Sequence, residues 1–119
     1  MYLLDILNYQ LLEQITAKQV EIALEMFKKK NIQTLVIDLR DNGGGYLTAA
    51  TDILDLFFTS DEVIYQMKEK NSAAKKYYAE SDKKYEFENG YILVNENTAS
   101  ASELTAGALQ SEKGYQTYW

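Results

Sequence analysis

The segment from Thr34 to Phe58 most constrains the fold, because it changes from a strand pattern to a helix pattern across a glycine-rich break. Residues 34–40, TLVIDLR, form a nearly continuous β-branched and leucine run, which is typical of a strand buried on both faces. DNGGG at 41–45 interrupts this run, and residues 46–58 then place apolar side chains at helical spacing. A strand, a tight glycine turn and a helix in this order predict an α/β protein.

The remainder of the chain continues the alternation of strand and helix. The predicted elements are strands at 2–9 and 90–95, a helix at 17–30 after the N-cap Thr16, hairpin-like strands and loops within 61–90, and a helix that begins near Ser100. The resulting order, β-α-β-α-(β)-β-α, predicts one α/β domain over 1–119 with a mainly parallel sheet.

Composition and charge exclude several classes of function. A chain of 119 residues holds one domain at most, and its net charge of −6 argues against a nucleic-acid partner. There is no apolar run long enough for a membrane span, and the opening residues lack a signal-peptide pattern, so neither is expected. With no cysteine and no histidine, a Ser-His-Asp triad, thiolate catalysis and a cysteine-based zinc site are excluded. No cofactor or metal is predicted.

The glycine loop, residues 41–45, allows several interpretations. Its spacing does not match the glycine patterns of dinucleotide-binding or P-loop proteins. The loop could be a plain turn that needs positive φ, which glycine adopts easily. It could also be an oxyanion hole whose glycine amides face a developing negative charge. Three consecutive glycines exceed what a turn requires, and this favours the functional interpretation.

The serine loop, residues 95–100, and the helix after it carry hydroxyls at Thr98, Ser100 and Ser102. Ser100 and Glu103 fit a capping box, in which both residues satisfy free amides at the start of a helix. The same spacing suits a nucleophile at Ser100, with the Ala101 amide as an oxyanion donor. Spacing alone leaves the two interpretations open.

Together the two loops resemble a known family. TLVIDLRDNGGGYLTAATDILDLFF resembles the Asp-Leu-Arg-x-Asn-x-Gly-Gly segment of the tail-specific, or C-terminal processing, serine peptidases. YILVNENTASASELTAGALQ is similar to the segment that holds their nucleophile. The matches cover about residues 32–58 and 91–110, and the first strand and helix fit the start of the same catalytic core. The resemblance implies a ClpP/crotonase-like α/β core that cleaves polypeptides near their C-termini with a Ser-Lys dyad.

Residue by residue, the resemblance assigns roles within the two motifs. It implies that Ser100 is the nucleophile, that the amides of Ala101 and of Gly44 or Gly45 hold the oxyanion, and that Glu103 supports the site. It implies structural roles for Asp38 and Arg40. A serine of the family motif is Thr98 here, and the residue after Gln110 is serine where the family has aspartate.

The general-base lysine of the family lies about two dozen residues past the serine, whereas this chain ends at Trp119. The expectation is therefore a partial catalytic core, incomplete at the C-terminus, without the PDZ domain that usually precedes it and inactive alone. Lys113 is the nearest downstream lysine, but a continuous helix would place it about 20 Å from Ser100. Lys68, Lys70, Lys75 and Lys76 are further candidates, although a solvated lysine is a poor base at neutral pH.

Two other functions stay open. The first is a non-catalytic peptide-binding or assembly module on the same fold, in which the ten tyrosines supply contact area. The second is an acyl-CoA-handling relative, which is disfavoured because a single arginine is a poor complement to a phosphorylated cofactor. A core that stops before its last strands would expose a sheet edge and apolar surface, and this predicts a homo-oligomer or a domain-swapped dimer. Members of the family are commonly extracytoplasmic, and the sequence does not assign a compartment.

Overall fold

The computed structural model describes residues 2–4, 17–43, 47–68, 70–80 and 84–119. The strands are β1 Tyr2–Leu4, β2 Thr34–Asp38, β3 Val63–Met67, β4 Lys75–Tyr78, β5 Asn89–Leu93 and β6 Gln116–Tyr118. The helices are α1 Ala17–Lys29, α2 Leu47–Leu54 and α3 Ala101–Lys113. The remainder of the predicted first strand, the N-cap Thr16 and the glycines at 44 and 45 lie outside the described residues.

A parallel sheet forms the centre of the fold, with the strand order β1-β2-β5-β6. Its two middle strands pair in register from Thr34 opposite Asn89 to Asp38 opposite Leu93. Leu35, Val36 and Ile37 are buried in succession, as expected for a strand covered on both faces. The prediction of an α/β fold with a mainly parallel sheet is confirmed.

The helices cover the sheet with the apolar faces that their periodicity predicts. Helix α1 buries Val20 and Leu24, and α2 buries Ala50, Ile53 and Leu54. Helix α3 packs on α2 and is one continuous helix from Ala101 to Lys113. It ends at Gly114, whose φ of 71° is the left-handed conformation that favours glycine at a helix end.

Several element bounds differ from the sequence prediction; among them, β5 covers Asn89–Leu93 where 90–95 was predicted. The helix predicted over 46–58 ends at Leu54, because the amides of Leu56 and Phe57 bond carbonyls three residues back and tighten the chain into turns. Phe57 and Phe58 are buried although they follow the helix. Their apolar side chains continue the helical pattern of the sequence, and this is why the predicted helix was too long. The strand predicted over 34–40 ends at Asp38. Strand β6 was not predicted, since its three residues are exposed or half-buried and carry no strand pattern.

The segment between the second helix and strand β5 contains the expected hairpin. Strands β3 and β4 pair antiparallel, with Tyr65 opposite Tyr77. The two tyrosine rings stack with centroids 4.3 Å apart and planes 8° from parallel. Among the described residues, no helix has both the length and the apolar character needed to cross a bilayer.

Candidate active site

The glycine loop and the serine loop lie side by side, because each follows the carboxyl end of one of two adjacent parallel strands, β2 and β5. The pairing continues past the strands, where the Leu39 amide donates to the Leu93 carbonyl oxygen at 2.8 Å. Next along the chain, the Ala99 amide donates to the Asn42 carbonyl oxygen at 3.1 Å. The sheet therefore brings together the two loops that the sequence singled out.

Three polar side chains join the loops at the surface. Asp41, with a φ of 61°, donates its amide to Asn95 Oδ1 at 2.9 Å. Its carboxylate oxygen Oδ1 accepts from Asn95 Nδ2 at 2.9 Å and from Asn97 Nδ2 at 2.8 Å. These bonds, first the one from Asn97 and then the one from Asn95, hold the pKa of Asp41 below its usual value. Asp41 thus ties the start of the glycine loop to the serine loop.

Two of the three hydroxyls are committed to structure. The buried Thr98 hydroxyl donates to the Leu39 carbonyl oxygen at 2.7 Å and accepts from the Asn95 amide at 3.0 Å. The Ser102 hydroxyl donates to Asn42 Oδ1, and both side chains are fully buried. Both hydroxyls lie between the loops, where they fix one loop against the other.

Ser100 is the exposed member of the three and has an unusual backbone conformation. Its φ of 56° and ψ of −123° are uncommon for any residue except glycine. Such a conformation costs on the order of 1–3 kcal/mol and persists only where the surroundings impose it. Here the fixed residues on either side, Thr98 and Ser102, impose it. The strained turn presents the Ser100 side chain to solvent at the start of α3.

Glu103 holds this turn from the helix side. The Ser100 amide donates to Glu103 Oε2 at 3.1 Å, which is the half of the predicted capping box that the Glu103 side chain supplies. The Glu103 amide also donates to the Ser100 carbonyl oxygen at 2.9 Å, so this amide is satisfied without the hydroxyl. Ala101 is the first residue of α3, a position whose amide has no acceptor within the helix. The Ser100 hydroxyl is therefore not required for capping the helix and remains available for a reaction.

The oxyanion glycines that the resemblance implies, Gly44 and Gly45, lie outside the described residues, as does Tyr46. Gly43, the last described residue of the glycine loop, is exposed, and a Cβ built there would meet no atom within 4 Å. The choice between a turn and an oxyanion hole at this loop therefore stays a prediction.

Lys113 lies at the opposite end of α3 from Ser100, as the prediction of a continuous helix requires. Its Nζ bonds both carboxylate oxygens of Glu62, at 2.8 and 2.7 Å, and lies 4.8 Å from the centre of the Phe58 ring. The bond from Lys113 lowers the pKa of Glu62 to about 2. Lys113 is thus a structural cation, and it does not serve as a base for Ser100.

Arg40 and Asp38 form an ion pair at the end of β2. Arg40 Nε donates to Asp38 Oδ1 at 2.9 Å, and Nη2 donates to Oδ2 at 2.6 Å. The Arg40 amide adds a third bond to Oδ1, at 3.0 Å. Chiefly through its side-chain bonds, Arg40 holds the pKa of Asp38 below its usual value. The ion pair stabilises the turn between the end of β2 and the glycine loop. This agrees with the structural role predicted for Asp38 and Arg40.

Asn42, Asn95 and Asn97 are site residues to which the sequence interpretation gave no role. Asn42 and Asn95 fall on asparagines of the two quoted motifs, and this was the signal that could have marked them. Their partners lie 54 to 60 residues away in sequence, so the bonds themselves follow only from the sheet pairing.

An exposed serine on a strained turn at a helix start, after the carboxyl end of a parallel strand, resembles the geometry of a nucleophile elbow. The comparison with known proteins is specific: residues 4–117 match the model of peptidase family S41. The chain belongs to this family.

Bacterial and plant processing proteases are among the relatives of the chain. The chain is 38% identical to the carboxy-terminal processing protease CtpB of Bacillus subtilis over 100 residues, which are 84% of this chain and 21% of that protein. It is 30% identical to the chloroplastic carboxyl-terminal-processing peptidase 3 of Arabidopsis thaliana over 96 residues, which are 81% of this chain and 18% of that protein. The chain therefore spans about a fifth of the length of these relatives.

A solved structure agrees with the sequence relatives. The photosystem II D1 C-terminal processing protease superposes with a TM-score of 0.72 at 26% sequence identity. The match covers 89% of this chain and 27% of that protein. The resemblance to the C-terminal processing serine peptidases is confirmed at the level of family and fold.

Proposed function

We propose that this chain is the nucleophile-bearing part of a serine endopeptidase that cleaves unstructured polypeptides near their C-termini. The observation that carries the proposal is the exposed Ser100 on a turn with a φ of 56°, between two fixed hydroxyl residues. Membership of family S41 and the similarity to C-terminal processing proteases support the same reaction.

In the proposed mechanism, Ser100 Oγ attacks the scissile carbonyl carbon and transfers its proton to a base. The negative charge on the carbonyl oxygen is stabilised by the Ala101 amide and by an amide of Gly44 or Gly45. Glu103 occupies the Ser100 amide, so that amide is not an oxyanion donor. Collapse of the tetrahedral intermediate expels the amine of the leaving peptide and leaves an acyl-enzyme ester, which water then hydrolyses.

Lys113 does not provide the base, since it is bound to Glu62. The resemblance implies a lysine that follows the serine by about two dozen residues, a position past Trp119. We therefore propose that residues 1–119 alone are inactive and that a lysine from such a segment, or from another subunit, activates Ser100.

The experiment compares two proteins, residues 1–119 and the same chain joined to a lysine-bearing segment of a C-terminal processing relative. Each is incubated with an unstructured peptide that has an apolar C-terminus, and mass spectrometry detects the products. We expect cleavage by the extended protein only, with loss in Ser100→Ala. Ser111→Ala, which removes an exposed hydroxyl from the same helix, is the control and should retain cleavage. Cleavage that survives Ser100→Ala overturns the proposal, and peptide binding without any product favours a non-catalytic module.

We also propose that the chain self-associates as a homo-oligomer or a domain-swapped dimer. Strand β6 is an edge of the described sheet, and the adjacent Tyr118 and Trp119 are exposed, Trp119 to 88%. Exposed strand edges and apolar side chains promote association. Sedimentation across micromolar concentrations should show a species larger than a monomer, and a sharp monomer at every concentration contradicts the proposal.

A further inference from the structure

A groove of about 340 Å³ lies between α2 and the β3–β4 hairpin, and we call it the tyrosine groove. Its apolar wall comes from the hairpin and from the start of α2, and its rim carries carboxylates. The lining residues that matter for its chemistry are Tyr65, Tyr77, Tyr78, Asp52, Asp55 and Glu80.

The tyrosines give the groove a rigid aromatic wall. The Tyr65 and Tyr77 rings stack in parallel, and this fixes both of them against the hairpin. Tyr77 is 37% exposed and Tyr78 is 51% exposed, so ring surface is open to a ligand. The face of a tyrosine ring attracts a cation within about 6 Å, and its carbon atoms also pack against an aliphatic stem.

The rim of the groove is acidic. Asp52 and Glu80 are exposed, and within the described parts of the chain neither carboxylate has an ion-pair or hydrogen-bond partner. Asp55 accepts the Glu80 amide at 2.6 Å, which fixes the backbone of the rim. The described lining contains neither lysine nor arginine. The charge of the groove is therefore complementary to a cation.

The tyrosine groove shares a wall with a groove that reaches the candidate active site. Ile64 and Tyr65 separate it from a second groove, of about 360 Å³, between β3 and α3. That second groove is lined by Glu103, whose carboxylate holds the Ser100 amide. At its other end the tyrosine groove reaches Leu47, the residue with which α2 begins after the glycine loop.

From this combination we infer that the tyrosine groove binds a lysine or arginine side chain of an extended polypeptide. The aliphatic stem packs on Tyr77 and Tyr78, and the cationic group lies among the carboxylates of the rim. The volume admits a side chain and the segment next to it, whereas a folded partner is too large. The inference rests on the proposed function in one respect, that the substrate is a polypeptide, and it adds a preference for a basic residue near the cleaved end.

The test measures binding and needs no cleavage. Two fluorescein-labelled unstructured peptides share one sequence, except that two lysines in the first are glutamines in the second. Their affinities for residues 1–119 are compared by fluorescence anisotropy at low salt. We expect the lysine peptide to bind about three- to tenfold more tightly, because exposed ion pairs and cation–π contacts each contribute modestly. The preference should shrink at high salt, which screens exposed charges.

Variants locate the preference. Asp52→Asn and Glu80→Gln should each reduce the ratio of the two affinities by about two- to threefold, since each removes one exposed charge. Glu88→Gln removes the same charge from an exposed position that does not line the groove, and it should leave the ratio unchanged. Circular dichroism confirms that all three variants fold.

Equal affinity of the wild type for both peptides overturns the inference, and so does an equal loss in Glu88→Gln, which would indicate attraction to net charge alone. Neither result bears on the proposed function, because both concern peptide binding and not cleavage. That function is judged separately, by cleavage of the glutamine peptide by the extended protein and its loss in Ser100→Ala.

Discussion

The Ser102 hydroxyl donates a hydrogen bond to Asn42 Oδ1, and neither side chain is exposed to solvent. The bond links the first turn of α3 to the glycine loop across 60 residues of sequence. Ser102 lies two residues after Ser100, so the bond anchors the helix side of the strained turn. A buried pair of this kind is expected to be energetically coupled, because either single substitution removes the same buried bond.

The first prediction concerns this coupling. Asn42→Ala and Ser102→Ala should each lower the free energy of unfolding by about 1–3 kcal/mol, because each removes the same buried hydrogen bond. The double variant should lose less than the sum of the single losses, by about 0.5–3 kcal/mol. Urea denaturation of the four proteins measures the cycle. Additive losses would show that the two side chains do not depend on each other.

The second prediction concerns the conformation of Ser100. Ser100→Gly should leave the free energy of unfolding unchanged or raise it by up to about 1 kcal/mol, because glycine adopts positive φ without strain. Ser111→Gly provides the matched control, since Ser111 is an exposed serine in the last turn of the same helix. There the same replacement should cost about 0.5 kcal/mol, because glycine has the lower helix propensity.

Thermal denaturation of both variants tests this contrast. If Ser100→Gly destabilises as much as Ser111→Gly does, then the turn at Ser100 stores no strain. If Ser100→Gly is the more stable variant, the wild-type turn keeps serine at a cost in stability, as sites of chemistry commonly do.

The third prediction is a pH dependence at Glu62. Two bonds from Lys113 lower the pKa of Glu62 from 4.5 to about 2. Because the folded value lies below the ordinary one, the stabilisation by this pair is complete above about pH 5. It is lost as the pH falls from about 4.5 through 2.

Carbon-detected NMR titration of the Glu62 carboxyl measures this shift. Lys113→Met keeps much of the apolar stem and removes the charge, so it should return the pKa toward 4.5 and flatten the decline in stability below pH 5. Lys18→Met removes an exposed cation near the start of α1, away from the contacts of Glu62, and should leave the Glu62 titration unchanged. A Glu62 pKa near 4.5 in the wild type would mean that the pair does not persist in solution.

The sequence predicted the fold well because local patterns determine it. Each local pattern predicts one feature of the fold: the continuous apolar run predicts β2, the glycine break predicts a turn, and the periodic apolar face predicts α1. The alternation of strands and helices then predicts a parallel sheet. The same logic overextended α2, since Phe57 and Phe58 are buried although they follow the helix. Local patterns report burial more directly than they report helix ends.

The site was predictable only in outline. Ser100, Ala101 and Glu103 stand in one short segment, so a helix start with a serine could be recognised there. The contacts of Asp41 with Asn95 and Asn97 join residues more than 50 positions apart, and they depend on the register between β2 and β5. Spacing within one segment carries no information on such contacts.

The last prediction concerns the close packing of β5 against the residue that follows α3. A Cβ built at Gly90 would lie 2.5 Å from ring carbons of Tyr115, a buried side chain that also meets the Phe57 ring edge-on. Gly90→Ala should therefore lower the free energy of unfolding by about 1–3 kcal/mol through overpacking. Tyr115 is large and fixed, so the strand must shift to accommodate the methyl group.

Gly107→Ala provides the opposite case, since Gly107 is an exposed residue within α3 and a Cβ there would meet no atom within 4 Å. It should raise the free energy of unfolding by about 0.5–1 kcal/mol, because alanine loses less backbone entropy in a helix. Urea denaturation of both variants gives the two signs. Equal and small effects of the two substitutions would show that Tyr115 does not pack on Gly90 in solution. Because β6 begins directly after Tyr115, that result would also contradict the pairing of β6 with β5.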